Sequence, residues 1–159
     1  MDNTRENFEH LVRTHKQTIY TVCYMFSKDE DEVADLFQES LINMWRGLPS
    51  FGGDASALRA WVYRVALNTC ISLDRKRRSR KTVPLTMDVS LFDPQEQRAQ
   101  RADQLHSRIC RLQPFDRAIV LLWLEDISYE EIGQILGITA KNVSVRLVRI
   151  REQMKKMKL

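Results

Sequence analysis

Residues that turn a chain are scarce here: 5 glycines and 4 prolines among 159 residues. A sandwich or barrel needs a turn roughly every 8–12 residues, so a turn-rich β protein is excluded. Cysteine is scarce too. Cys23, Cys70 and Cys110 are odd in number, widely spread and without CxxC or Cys/His ligand spacing, which argues against a zinc site. Cys23 and Cys110 fall on apolar stripes and read as core thiols. No apolar run approaches the length of a membrane span. The charged, polar start predicts no secretory leader. The expected compartment is therefore the cytosol, with no membrane insertion. No phosphate-binding glycine loop occurs, and His10, His15 and His106 have no Ser, Cys or carboxylate partner at recognisable spacing. The chain is therefore expected not to be an enzyme, and no cofactor or metal is implied.

What is present favours helices. Leu, Arg, Glu, Gln and Met are plentiful, all good helix formers, and the expected fold class is all-α. The net charge of +4 is modest, but its distribution is uneven. Residues 29–39 hold six acids (Asp29, Glu30, Asp31, Glu32, Asp35, Glu39) and no base. Residues 59–81 hold eight bases against one acid, Asp74, and residues 141–158 hold seven against Glu152. Each run alone reads as a solvated helix face. Together, segregated basic blocks suit a polyanion, and the acidic block suits a basic protein partner.

Periodicity divides the chain. Phe8, Leu11, Val12, His15, Ile19, Val22, Cys23 and Phe26 recur at helical steps, as do Val33, Leu36, Phe37, Leu41, Met44 and Trp45. Gly47, Pro49, Gly52 and Gly53 break the second helix. A third starts near Ala55 and runs past Leu73 on Leu58, Trp61, Val62, Val65 and Thr69. Three such helices enclose a small core. Beyond Ser79 the pattern lapses. Val83, Leu85, Met87, Val89 and Leu91 alternate between Pro84 and Pro94, which allows a strand, but without a partner strand an extended linker is the better reading. Leu105, Ile109 and Leu112 then mark a helix that stops at Pro114. Asp116 is positioned to cap another, carrying Ile119, Leu122 and Trp123.

Residues 128–151, SYEEIGQILGITAKNVSVRLVRIR, read as two helices and a tight turn. Ser128 and Glu131 have capping-box spacing, Gly137 supplies the turn, and Thr139 caps the last helix. On a helical wheel Val143, Leu147, Ile150 and Met154 share one arc, with Arg146 at its edge. Lys141, Val145, Val148 and Arg149 lie opposite, flanked by Asn142 and Ser144. This face suits base reading: Arg and Lys pair with guanine, Asn with adenine, and an exposed valine meets a thymine methyl. An ordinary amphipathic helix is the plainer alternative. The preceding cap and turn favour a helix-turn-helix instead.

Taken together, the chain resembles the extracytoplasmic-function group of bacterial sigma factors over nearly its whole length. The resemblance rests on DEVADLFQESLINMWRGLPSF (residues 31–51), FGGDASALRAWVYRVALNTCISLDRKRRS (residues 51–79) and LQPFDRAIVLLWLEDISYEEIGQILGITAKNVSVRLVRIRE (residues 112–152). It implies two helical domains: region two at residues 1–79 and region four at 103–159, joined by a linker at 80–102. It also implies binding to core RNA polymerase, recognition of minus-ten and minus-thirty-five promoter DNA, help in strand opening and, in many members, an anti-sigma factor.

Carried onto this sequence, the resemblance places Asp35, Gln38 and Glu39 on the polymerase. The loop around Phe51, Gly53, Asp54 and Ser56 would hold a base flipped from the non-template strand, an extrusion costing a few kcal/mol that a pocket must offset. Asn68 matches a position that contacts the minus-ten element. Arg75, Lys76, Arg77 and Arg78 would hold phosphates near the melted region, with Arg59 and Arg64 in support. Trp61 reads as core rather than as a base wedge. Lys141, Asn142, Ser144, Val145, Arg146, Val148 and Arg149 would meet the upstream element. Related recognition helices often carry a basic residue followed by Ser where this chain has Ser144 and Val145. That departure bears on individual base contacts and leaves the role of the helix intact. A stand-alone helix-turn-helix regulator is the alternative function; it explains the last helix but not the acidic helix or the second basic block.

Overall fold

Asp29 opens the clearest helix of the N-terminal half: its carboxylate accepts from the Asp31 amide, and Glu30, Asp31 and Glu32 crowd the positive end of the helix dipole. The computed structural model describes residues 3–79 and 97–157, with side chains from 4–76 and 104–157. Three helices form the first bundle: α1 (Asn3–Tyr24), α2 (Glu30–Gly47) and α3 (Ala55–Ser79). A short 3₁₀ turn, Leu48–Ser50, leads from α2 towards α3. Ile19, Val22, Leu36, Met44, Leu67 and Cys70 are among the side chains buried at its centre. One expected stripe residue departs. Trp45 is 43% exposed and meets Phe8 edge-on at 5.2 Å.

The second bundle comprises α4 (Gln97–Cys110), α5 (Pro114–Leu124), α6 (Tyr129–Leu136) and α7 (Ala140–Lys156). Helix α4 begins inside the stretch read from sequence as linker; residues 80–96, including the alternating apolar run, lie outside the described residues. Pro114 does not merely stop a helix. It occupies the first position of α5, where its missing N–H is no loss, and Gln113 rather than Asp116 is the cap residue. Asp116 sits in the first turn instead. From Arg117 to Leu122 every residue of α5 is buried, so this helix is the hub of the bundle. Among the described residues every regular element is a helix, in agreement with the all-α expectation.

The helix-turn-helix closes by local chemistry. Ser128 Oγ accepts from the Glu131 amide and Thr139 Oγ1 from the Asn142 amide. Gly137 takes φ 77°, the left-handed conformation that ends α6. Its amide and that of Ile138 both donate to the Gly133 carbonyl, at 2.7 and 2.9 Å. Gly133 itself is needed for close approach, because a Cβ there would run into the Ile138 carbonyl oxygen.

The two bundles meet. Helix α3 packs against α5 and α6. Arg117 is 5% exposed and reaches across the seam to Asp74, 8% exposed, with Nη1 3.6 Å from Oδ1.

Candidate nucleic-acid and polymerase surfaces

Helix α7 buries Val143, Leu147 and Ile150 against α5 and α6. The opposite face stays in solvent: Lys141, Asn142 and Arg149 are exposed, Val145 is 43% exposed and Val148 60%. Two open valines among cations make a surface that can take both phosphates and thymine methyls. Ser144 is half-buried on the flank. Arg146 behaves differently from the other cations. Its Nε donates to Asn142 Oδ1 at 3.2 Å, its guanidinium lies 5.0 Å from the Phe115 ring centre, and Nη1 is 3.9 Å from Asp116. It braces α7 against α5 and fixes the Asn142 amide. Burial raises the Asp116 carboxyl above its ordinary value, with Arg146 pulling the other way.

Asp35, Gln38 and Glu39 are all exposed on α2, and their spacing places them on one face. Met44 and Leu36 hold the opposite side of the helix in the core. The acidic face is therefore available to a basic protein.

The loop before α3 is built tightly. Asp54 accepts from Ser56 Oγ at 2.6 Å and from the Ala57 amide at 3.0 Å. The Ser56 hydroxyl and then the Ala57 amide hold the Asp54 carboxyl below its usual value. The Phe51 ring tilts against Trp61 at 5.3 Å, which keeps half-buried Trp61 as a packing residue. Any Cβ on Gly53 would fall 2.7 Å from Phe51 Cζ, so the glycine makes room for that ring. Phe51, Gly53 and Asp54 line a cavity of about 260 Å³ together with Asn7 and His10 from α1.

The remaining expected site residues of α3 lie elsewhere. Ser56 faces a larger groove of about 620 Å³ shared with Arg64, Glu131 and Gln134. Asn68 is exposed, about 18 Å along the helix from Ser56 at ~1.5 Å per residue. It borders one cavity with Glu39, Asn43 and Lys76, and another with Arg64, Arg75 and the Leu136–Gly137 turn. The loop trio and Asn68 are thus two separate places on the bundle. Arg75 and Lys76 are exposed near the end of α3; the side chains of Arg77 and Arg78 lie outside the described residues. Arg59 sits over the Tyr63 ring at 5.8 Å.

Sequence reading gave no structural role to Asn7, His10, Asp74, His106 or Arg117. Two of them leave a signal: Asp74 is the lone acid of a basic run, and Arg117 is a lone cation inside the most apolar helix. No group of acids, histidines and cysteines suited to a metal ion occurs among the described residues, and no described helix is long and apolar enough to cross a membrane.

An acidic helix, a tight glycine loop and a capped helix-turn-helix, in that order, define a two-part promoter-reading protein. Residues 11–81 match the Sigma-70 region 2 family and residues 102–154 match Sigma-70, region 4. The chain belongs to the sigma-70 family, in its extracytoplasmic-function group, and is a transcription initiation factor that works with core RNA polymerase on promoter DNA. It is 28% identical to the ECF RNA polymerase sigma factor SigE of Mycolicibacterium smegmatis, covering 94% of this chain and 60% of that protein. It is likewise 28% identical to RNA polymerase sigma factor YlaC of Bacillus subtilis, covering 96% of this chain and 92% of that one. Among solved structures, the fold is similar to sigma factor RpoE of Bartonella quintana in complex with the anti-sigma factor NepR. That match has a TM-score of 0.68 and 19% identity, over 95% of this chain and 96% of that one. CnrH in complex with the cytosolic domain of CnrY gives 0.67 and 23%, over 95% and 86%. The region 2 match sets aside the stand-alone regulator, which has no use for a second DNA-binding half.

Proposed function

We propose a residue-level division of labour. Asp35, Gln38 and Glu39 dock on a basic surface of core polymerase. Phe51, Gly53 and Asp54 receive a base extruded from the minus-ten element, with Ser56 holding the Asp54 carboxylate in place. Asn68 contacts the same element further along α3, and Arg75, Lys76, Arg77 and Arg78 neutralise phosphates beyond it. Lys141, Asn142, Val145, Val148 and Arg149 enter the major groove of the minus-thirty-five element, while Arg146 and Ser144 support them from the flank. The chain acts in the cytoplasm by binding rather than by catalysis. The sigma factor RpoE of similar fold was captured with the anti-sigma factor NepR, and an anti-sigma factor is a fitting further partner here.

The observation that carries this reading is the outer face of α7, where lysine, arginine and two open valines share one exposed surface. The test adds the full chain to sigma-free core polymerase and maps transcripts from genomic DNA. Discrete start sites, lost with Asp35→Arg or Glu39→Arg while the helical content holds, are the expected result. Undiminished assembly in both variants removes α2 from the polymerase interface.

A further inference from the structure

Helix α1 contributes to the pocket that the loop before α3 was given for an extruded base. Asn7, His10 and Leu11 follow one another at three- and four-residue steps, so they share one face of α1. Leu11 is buried and seats that face in the core, while Asn7 and His10 stay exposed beside it. All three border the cavity of about 260 Å³ that Phe51, Gly53 and Asp54 also line.

The cavity is smaller than the ~300–1,000 Å³ of a drug-sized ligand site, a size that suits a single planar ring system. Its lining is divided. Leu11, Leu48 and Leu58 supply apolar walls, and the Phe51 ring gives a stacking surface. The polar side chains are Asn7, His10 and Asp54. Their chemistry is not equivalent. The Ser56 hydroxyl and the Ala57 amide both donate to Asp54 Oδ1, so Oδ2 keeps its lone pairs for a ligand. An ionised carboxylate can only accept, whereas the Asn7 amide and the His10 ring can each donate. The loop thus brings an acceptor, and α1 brings the donors.

Extrusion strips a base of its pairing partner, and the bonds along its Watson–Crick edge must be replaced. Adenine and cytosine carry on that edge an amino group beside an unprotonated ring nitrogen. The amino group suits Asp54, and the ring nitrogen suits a donor from α1. Thymine has no amino group and turns carbonyl oxygens towards the carboxylate. Guanine sets two N–H donors side by side, and one of them would face the donors of α1. We propose that Asn7 and His10 of α1 are specificity-determining residues for the extruded minus-ten base, selecting with Asp54 a base that bears an amino group beside a ring acceptor. The proposal rests on the base-capture role given above to the Phe51 loop, and extends it to a helix outside that loop. Because Asn7 and His10 make none of the loop's own bonds, replacing them changes which base is held while the loop keeps its shape.

The test uses holoenzyme assembled from the full chain and core polymerase, on a promoter found by transcript mapping. Each non-template base of its minus-ten element is replaced in turn by the other three and by an abasic site, and the rate of open-complex formation is measured. The extruded position is the one where Asp54→Ala changes the ranking of bases. There the wild type should favour adenine or cytosine about tenfold over thymine and guanine, the ratio expected of one good base contact. Asn7→Ala and His10→Ala should flatten that ratio at this position alone. His10→Gln, which keeps an N–H donor, should preserve it. An undiminished ratio in both alanine variants overturns the role of α1. A wild-type preference for thymine or guanine, or no preference, overturns the choice of base. If no position of the element responds to Asp54→Ala, base capture by the loop itself fails, an outcome distinct from the other two.

Discussion

Arg117 and Asp74 form a buried ion pair across the seam of the two bundles, Nη1 to Oδ1 at 3.6 Å, with both side chains nearly closed to solvent. The pair is one part of a larger arrangement, because the same guanidinium satisfies carbonyls at the ends of α1 and α4 and between α4 and α5. Removing one member of a buried pair strands the other, at a cost of about 3–5 kcal/mol. Arg117→Leu is therefore expected to lose that much stability in urea unfolding. Adding Asp74→Leu removes the stranded carboxylate and should recover part of the loss. Recovery stays incomplete because the Leu112 and Cys110 carbonyls remain without their donor, at about 1–3 kcal/mol for each one left buried. Full recovery in the double variant would show that the carbonyl bonds contribute nothing.

Gly133→Ala is expected to loosen the helix-turn-helix. The added methyl meets the Ile138 carbonyl oxygen, part of the backbone that closes the turn. Overpacking costs about 1–3 kcal/mol, whereas alanine's helix advantage over glycine offsets about 1 kcal/mol. A net loss of stability with weaker upstream protection should follow, measured by thermal unfolding and footprinting. Gly52, which has open space where a Cβ would go, is the matched control.

On α7 the cations are expected to separate by role. Lys141→Ala and Arg149→Ala should weaken upstream promoter binding by about 1–3 kcal/mol where the contact is to a base edge, leaving unfolding unchanged. Arg146→Ala should lower both, since Arg146 is bound to Asn142, Phe115 and Asp116 in the free protein. Binding isotherms paired with melting curves separate the two patterns. An Arg146→Ala protein that melts like wild type would return Arg146 to the purely DNA-facing group.

Local chemistry explains why some features could be read from the sequence and others could not. Ser128, Gly137 and Thr139 act on amides and carbonyls within a few residues of themselves, so the helix-turn-helix was legible in full. The order of the α7 faces followed from its period, including Arg146 at the edge of the core arc. Asp116 reads as a cap only if Pro114 ends a helix; Pro114 instead starts α5, which puts Asp116 at the third position of that helix. Trp45 fitted the α2 stripe yet lies open, since period alone does not say how wide the buried face is. The family resemblance assigns both the Phe51 loop and Asn68 to the minus-ten element, and the length of α3 sets how far apart they lie. Arg117 with Asp74, and His106 with Tyr24, pair across the two halves of the chain, where neither period nor spacing carries a signal.

His15 links stability to pH. Burial, then the nearby charges of His10 and Arg59, lower its pKa below the ordinary 6.5. The unfolded chain therefore takes up this proton at a higher pH than the folded one, and stability falls where the unfolded state binds more protons. The contribution is complete above pH 6.5 and declines as the pH drops through that value towards the lower folded pKa, where it levels off. Urea midpoints should thus decrease between pH 7.5 and pH 5.5, and His15→Gln should flatten that dependence while His10→Gln flattens it less. Because His15 lies on α1, the loss should appear first in probes of the N-terminal bundle, such as Trp45 and Trp61 fluorescence, ahead of Trp123 in α5. An unchanged slope in His15→Gln would assign the acid sensitivity to other groups.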